Sequence, residues 1–187
     1  MNTQWDRLFG SIFAMATIVI VCYFFISDEF FEWVFARHHN VLSWYIRPLF
    51  IILIVIGAYK KSFTIIFASI FALFTSMFWF PIPSDVDADV VGFLNFEKNY
   101  LVSGWSVDKL FVAGAVVLFF VGLIYAAWQR KWKFLIIVIA GSAVLKVFHS
   151  VLFSGESGFS IVKPALLGVV VCIVSIILFV HSKKTKK

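Results

Sequence analysis

The sequence predicts an all-α integral membrane protein, a bundle of six transmembrane helices with short interfacial helices in the outer loops. Three observations lead to this fold class: an apolar composition, six separate apolar runs, and an uneven division of charge between the segments that join them. Of the 187 residues, 62% are hydrophobic, only 14% are charged, and 24 are phenylalanine. The core of a soluble protein of this length does not accommodate so many large apolar side chains. Contacts with lipid and between helices in a membrane do accommodate them.

The six apolar runs approach the length that a membrane-crossing helix needs. A helix requires roughly 20 residues to cross about 30 Å of hydrocarbon, and about 17 to 25 are tolerated. An open sheet in lipid would leave backbone groups unpaired, so the runs are predicted to be helices. The chain is therefore predicted to be a single transmembrane domain, residues 1–187, with spans at approximately 8–27, 41–59, 62–80, 110–128, 134–153 and 165–180.

The charged residues of the connecting segments separate onto two sides of this bundle. Ten of the sixteen Lys and Arg residues share one side: Arg7, Lys60, Lys61, Arg130, Lys131, Lys133, Lys183, Lys184, Lys186 and Lys187. Asp6 is the one acidic residue on that side, and the other nine acidic residues fall opposite. Because Lys and Arg concentrate in short cytoplasmic loops, the sequence predicts a cell-membrane protein with both termini in the cytoplasm. The net charge of +6 is expected to contact anionic membrane lipid rather than nucleic acid.

Residues 28–40, on the predicted outer side, are more than a linker. At helical spacing Asp28, Glu32 and His39 fall within reach of one face. Phe30, Phe31 and Val34 fall on another face. This pattern is typical of a helix lying in the headgroup plane with its apolar side down. An extracellular extension of the first span explains it equally well.

Residues 81–109 form the second long outer segment. Pro81 and Pro83 follow an aromatic belt and predict an abrupt exit from the membrane. A short helix is predicted over residues 91–101, with apolar positions that rest on the bundle. The Gly- and Ser-rich segment 154–158 is expected to be a flexible outer hairpin.

Lys146 is the sharpest candidate for a ligand-binding residue, because its charge falls within the fifth apolar run. A charged side chain at mid-span costs roughly 2.5–3.5 kcal/mol on insertion scales. His149 follows on the same helical face, and Glu156 lies two turns further on. A polar stripe of Lys146, His149 and Ser150, toward which Glu156 could reach back, suits an anionic ligand or a proton relay. The alternative is that Lys146 pairs with a carboxylate from a neighbouring helix or from the outer acidic loops.

Arg47 is a further ligand-binding candidate. It precedes Pro48 at the point where a helix enters from the outer side, and Lys163-Pro164 repeats this arrangement. Proline in the first turn of a helix sacrifices no hydrogen bond. The basic residue beside it is positioned to contact a lipid phosphate.

A metal site on the outer side is a separate hypothesis. Carboxylate and imidazole groups are common ligands of divalent cations. The outer segments offer six of them: Asp85, Asp87, Asp89, Glu32, His38 and His39. An ordered site needs several converging ligands, and alternating aspartates in a loop are more often a solvated face. No cofactor is therefore predicted.

No soluble catalytic signature is found in the sequence: it has no Gly-rich phosphate loop, no paired-Cys metal spacing and no Ser in a nucleophile elbow. This favours a non-enzymatic membrane component that binds a protein partner or assists an assembly. One alternative is a small oligomeric transporter or channel with Lys146 and His149 lining a polar cavity. The other is an intramembrane enzyme that acts on lipid at the outer interface, using His38, His39 or His149.

Two runs of sequence carry a resemblance to a known group of proteins. They are Trp44-Tyr45-Ile46-Arg47-Pro48 and Phe78-Trp79-Phe80-Pro81-Ile82-Pro83, and Glu97 and Lys146 fit the same pattern. The chain resembles an uncharacterised family of small polytopic bacterial membrane proteins without an assigned function. The resemblance implies a bacterial cytoplasmic membrane. It implies no activity, so it does not choose among the three functions.

Overall fold

The computed structural model describes residues 2–104 and 106–184, and every regular element within these ranges is helical. In chain order the α-helices are α1 Thr3–Ile26, α2 Asp28–His38, α3 Leu42–Tyr45, α4 Arg47–Tyr59, α5 Phe63–Thr75, α6 Ala88–Val102, α7 Val107–Trp128, α8 Trp132–Ser154 and α9 Val162–Lys184. Two 3₁₀ segments, Ser76–Phe78 and Gly155–Ile161, follow α5 and α8. The predicted cytoplasmic residues Lys186 and Lys187 lie outside the described ranges. The all-α prediction is confirmed.

Several of these helices are apolar enough to lie in a membrane. Within the described residues, four segments have the length and composition of a membrane span: Thr3–Ile26, Leu42–Tyr59, Val107–Trp128 and Trp132–Ser182. The fourth covers 51 residues and contains both α8 and most of α9. The helix Phe63–Phe78 is apolar but shorter than the others. The apolar helices indicate a membrane-embedded protein.

Local residues account for where the helices begin and end. Ser27 has an extended backbone, and its side chain accepts the Phe30 amide at 3.2 Å, so α2 begins directly after α1. Pro48 lies in the first turn of α4, where its missing N–H costs no helical bond. The third predicted span is shorter than expected. Its regular helix stops at Thr75, and only the 3₁₀ turn Ser76–Phe78 continues it.

The turns between α4 and α5 and between α7 and α8 have the same construction. Lys61 and Arg130 each have a φ of 57°, in the left-handed region. In the first turn, the Ser62 amide donates to Gly57 O at 2.9 Å, and the second turn repeats this bond between residues five apart. These are Schellman motifs, which satisfy the last carbonyls of a helix and reverse the chain tightly. Each turn therefore joins two antiparallel helices.

Helix α4 lies at the centre of the bundle and packs against α5, α7 and α9. Helix α1 packs on α5, while α8 contacts both α7 and α9. The buried apolar side chains between them form the inner core: Ile54, Val55, Ala58, Ile66, Ile70, Leu123, Ala126, Ala127, Leu135, Ile139, Cys172 and Ile176. Apolar contact therefore holds together helices that lie far apart in the sequence.

Asp6 joins α1 to the start of α5. Its carboxylate accepts hydrogen bonds from Ser62 Oγ at 2.7 Å, from the Phe63 amide at 2.8 Å and from the Thr64 amide at 3.3 Å. Negative charge is stabilised at a helix N-terminus, where backbone amides have no partner within the helix. The one acidic residue of the basic side thus caps a helix that begins 57 residues later.

A second layer consists of α2, α3, α6 and the 3₁₀ segment Gly155–Ile161 and packs at one end of the bundle. We name it the outer cap because the sequence predicts its segments on the outer side. It has its own buried apolar cluster: Phe31, Phe35, Trp44, Val90, Phe93, Leu94 and Ile161. The expectation of a flexible hairpin at 154–158 is wrong. These residues continue into the 3₁₀ segment, which packs against α6 and α8, and Gly158 is buried there.

Candidate functional site

Five polar side chains from five different helices come together where the outer cap meets the bundle. This outer polar cluster consists of His38 from α2, Ser43 from α3, Arg47 from α4, Glu97 from α6 and Lys146 from α8. Because every member lies on a separate helix, the cluster exists only in the folded protein.

His38 is held in one orientation and one tautomer. Its side chain is 3% exposed and Ser43 is fully buried. His38 Nε2 lies 3.4 Å from Arg47 Nη2, and His38 Nδ1 lies 3.0 Å from Ser43 Oγ. A guanidinium group only donates, so Nε2 accepts, and Nδ1 must carry the hydrogen that it donates to Ser43. The His38 carbonyl in turn accepts the Trp44 indole N–H at 3.2 Å.

Arg47 brings a permanent positive charge into this site, and its guanidinium group has few hydrogen-bond partners there. Its Nε is shielded from solvent and has no hydrogen-bond partner among the described residues. The contact of Nη2 with His38 engages one of the five guanidinium N–H donors. Leaving a buried charged donor unpaired is costly, and an oxyanion is the natural acceptor for it.

Lys146 and Glu97 complete the charge balance of the cluster. Lys146 Nζ lies 3.8 Å from Glu97 Oε1, and Glu97 also interacts electrostatically with Arg47. A carboxylate from a neighbouring helix therefore lies beside Lys146, which is one of the two alternatives that the sequence left open. Two cations face one carboxylate, so the cluster carries one excess positive charge.

His38 contributes no charge to this balance at ordinary pH. Burial lowers the pKa of the imidazole well below its usual 6.5, and repulsion from Arg47, Lys146 and His39 lowers it further. The neutral ring can accept from Arg47 and donate to Ser43 at the same time. A protonated ring could not accept.

Thermal stability is expected to fall as the pH drops below about 6.5, and His38→Gln is expected to flatten this dependence. The unfolded chain binds a proton at His38 more readily than the folded protein does, so acidification favours unfolding. Melting temperatures in detergent from about pH 8 to about pH 5 measure the effect. His149→Gln, which removes a histidine outside the cluster, is the matched control. An unchanged slope in His38→Gln would contradict the assignment.

The residues of the predicted polar stripe, Lys146, His149 and Ser150, have different surroundings: Lys146 lies beside Glu97, and Ser150 is buried. The His149 ring packs against Tyr100, with centroids 5.9 Å apart, and against Phe153, at 4.7 Å. Glu156 is exposed in the 3₁₀ segment and forms no ion pair with any described residue. Of the four ligand-binding candidates, the structure brings together Arg47 and Lys146.

The six metal-ligand candidates are also dispersed. Glu32 pairs with Lys98 at 2.6 Å, and Asp87 Oδ1 accepts the Asp89 amide at 2.8 Å at the start of α6. His39 Nδ1 donates to the carbonyl of Phe35 at 2.8 Å, while His38 belongs to the polar cluster and Asp85 is exposed. In the part of the chain that the structure describes, no three His, Cys, Asp or Glu side chains converge. The geometry therefore gives the metal hypothesis no support.

Sequence reasoning assigned no role to Ser43 or Glu97 and placed His38 among metal ligands. The sequence of α6 did contain an indication that Glu97 faces the interior. Phe93 and Leu94 are buried, and Glu97 lies three to four residues beyond them on the same inward face. Ser43 carried no comparable signal, because a serine in a short aromatic segment has no distinctive pattern.

Comparison of the chain with models of protein families, with curated proteins and with solved structures finds no match. Fold and site alone therefore define the class of protein: an all-helical, membrane-embedded protein whose helices gather a polar cluster beneath a cap. The resemblance to small bacterial membrane proteins stays a prediction.

Proposed function

We propose that the chain crosses the cell membrane six times, with both termini in the cytoplasm and the outer cap on the opposite side. The 51-residue apolar segment counts as two crossings, because α8 and α9 pack against each other around the 3₁₀ segment Gly155–Ile161. The shorter helix Phe63–Phe78 counts as one further crossing. It begins at the turn beside Asp6, and its last turn packs against α2 and α3 of the cap.

Aromatic and basic side chains at the end opposite the cap support this orientation. The Lys61 ammonium lies 5.8 Å from the Trp128 ring centroid, and the Arg130 guanidinium lies 4.8 Å from that of Tyr59. Lys and Arg mark cytoplasmic loops, and Trp and Tyr concentrate at membrane interfaces. Both features coincide at this end of the bundle.

Labelling of single cysteines in intact cells tests the topology. With Cys22 and Cys172 replaced, Glu156→Cys in the cap is expected to react rapidly with a membrane-impermeant thiol reagent. Ser182→Cys, near the end of α9, is expected to react only after the membrane is opened. Both positions are exposed in the folded protein. Rapid labelling of Ser182→Cys in intact cells would contradict the proposed orientation.

The protein is proposed to be a non-catalytic, accessory component of the membrane that works by binding an anionic group in the outer polar cluster. The observation that carries this function is the shielded, unpartnered Nε of Arg47 in a cluster with two cations and one carboxylate. A guanidinium group binds oxyanions through parallel N–H donors, and these bonds are strong where water is excluded. Binding is favoured over transport because His149 packs against aromatic rings. In the transporter alternative, His149 would line a polar cavity together with Lys146.

Inorganic phosphate is expected to raise the melting temperature of the purified wild-type protein, and Arg47→Gln is expected to abolish this response. A ligand that binds only the folded state stabilises it by about 2.7 kcal/mol at a hundred times its dissociation constant. The measurement is thermal unfolding in detergent as phosphate replaces chloride at constant ionic strength.

Arg37→Gln is the matched control for this experiment. Arg37 belongs to the same cap but stacks on Trp33, with the guanidinium carbon 3.9 Å from the ring centroid. Its loss removes the same charge from the same side of the protein, so the phosphate response should remain. An equal response in Arg47→Gln and Arg37→Gln would show that Arg47 is not the binding residue.

A further inference from the structure

An apolar groove with a volume of about 490 Å³ lies between α8 and α9. Sites that hold drug-sized ligands have volumes of about 300–1,000 Å³, so the groove is large enough for a substantial apolar group. Val144, Phe148 and Leu166 in its lining are 66%, 62% and 65% exposed. The groove therefore opens away from the bundle core, on a face that a membrane protein presents to lipid.

The groove passes close to the outer polar cluster, because Lys146 lies on α8 between two of its lining residues, Ala143 and Val147. Val147 lines the groove, follows Lys146 directly, and packs against the apolar core of the cap. Along α8 the lining extends from Ala140 to Val151, and residues 140–151 cover about 16 Å at 1.5 Å per residue. An elongated apolar groove thus passes beside a site with excess positive charge.

We infer that the outer polar cluster and this groove together bind one anionic phospholipid, with its phosphate at Arg47 and Lys146 and an acyl chain in the groove. This inference rests on the proposed function and names its ligand. Charge complementarity selects the headgroup, because the cluster holds two cations and one carboxylate. The almost wholly apolar lining selects a hydrocarbon chain, which free phosphate or an acidic protein side chain does not supply.

Phosphatidylglycerol, with phosphatidylcholine for comparison, is the probe. Native mass spectrometry of protein taken from nanodiscs of each lipid measures the retained lipid, and melting temperatures in detergent measure the response to each lipid and to inorganic phosphate. Wild-type protein is expected to retain one phosphatidylglycerol. Arg47→Gln is expected to weaken its binding at least about tenfold, as loss of a charged hydrogen bond requires.

Ala143→Phe tests binding of the acyl chain in the groove separately from binding of the phosphate at the headgroup site. Ala143 lines the groove, and a phenyl ring there obstructs part of it. This variant is expected to lose phosphatidylglycerol but to keep the phosphate response, which also shows that it folds. Ala115→Phe, on an exposed part of α7, is the control and should retain the lipid.

The outcomes are distinguishable. If Ala143→Phe retains phosphatidylglycerol as well as Ala115→Phe does, no acyl chain occupies the groove, and the lipid inference is wrong while the proposed function stands. If both lipids bind wild-type protein equally, the site does not select an anionic headgroup, and the inference of an anionic phospholipid is wrong. If only free phosphate binds, the lipid inference is also wrong, and a soluble anion or an acidic partner protein is the occupant. If neither the thermal response to phosphate nor the binding of phosphatidylglycerol depends on Arg47, the proposed function fails together with the inference.

Discussion

Asp6→Ala is expected to lower the free energy of unfolding by about 1.5–3 kcal/mol, the contribution typical of hydrogen bonds to a charged group. The Asp6 carboxylate accepts bonds from Ser62, Phe63 and Thr64 and is only 8% exposed. The three bonds share one carboxylate, and Asp6 lies near the end of the bundle, where water can replace some of them, so their energies do not simply add. The same change leaves the bond from Thr64 Oγ1 to the residue 6 carbonyl, 3.0 Å long, as the remaining polar link between α1 and α5 at this point.

The measurement is equilibrium unfolding in mixed micelles with a denaturing detergent. Asp85→Ala is the matched control, because Asp85 is an exposed carboxylate in the loop before α6, and its loss is expected to change stability by less than about 0.5 kcal/mol. Asp6→Asn should fall between the two, since an amide oxygen still accepts but carries no charge. Equal stability of Asp6→Ala and Asp85→Ala would show that the carboxylate does not stabilise the start of α5.

The helices were predictable because each apolar run is bounded by residues with a local effect. The predicted span 110–128 corresponds to α7, Val107–Trp128, and the predicted span 134–153 corresponds to α8, Trp132–Ser154. Between them, Gln129, Arg130 and Lys131 form a tight polar turn. Hydropathy and turn chemistry act over a few residues, so a single sequence is enough to locate them.

The outer polar cluster was only partly predictable, because it depends on how five helices pack. Arg47 and Lys146 attracted attention as charges beside or within apolar runs. Helical spacing then paired Lys146 with His149, three residues further on, but the folded chain places Glu97 of another helix beside Lys146. Contacts between residues about 50 positions apart leave no periodic pattern in one sequence.

Asp6 shows that an exception to a pattern carries information. The charge distribution singled it out as the one acidic residue on the basic side, and the distribution itself gave no reason for its presence. The structure supplies the reason, since the carboxylate caps α5. Its partners begin 56 residues later, so sequence alone could reveal the exception but not the capping role.

Gly158→Ala is expected to destabilise the outer cap by about 1–3 kcal/mol, the usual cost of overpacking a tight contact. A Cβ atom at Gly158 would lie 2.5 Å from the carbonyl oxygen of Ser150 and 2.7 Å from its carbonyl carbon. Both atoms belong to the backbone of α8, so no side-chain rotation relieves the clash. The 3₁₀ segment must move away from α8.

Gly141→Ala is the matched control, because Gly141 lies on α8 with nothing within 4 Å of an added Cβ. Alanine there should be neutral or stabilising by up to about 1 kcal/mol, the difference in helix propensity between the two residues. Equilibrium unfolding measures both variants, and hydrogen exchange of α6 is expected to rise only in Gly158→Ala. Equal stability of the two variants would show that the 3₁₀ segment is not held against α8.

The phosphate response of Gly158→Ala shows whether the cap braces the binding site. The 3₁₀ segment packs against α6, which carries Glu97, and against α8, which carries Lys146. Displacement of this segment is therefore expected to loosen the Glu97–Lys146 pair and to weaken the response to phosphate. If stability falls while the phosphate response stays at the wild-type level, Arg47 keeps its position without the Glu97–Lys146 pair, and that pair contributes to the net charge of the site but not to its geometry.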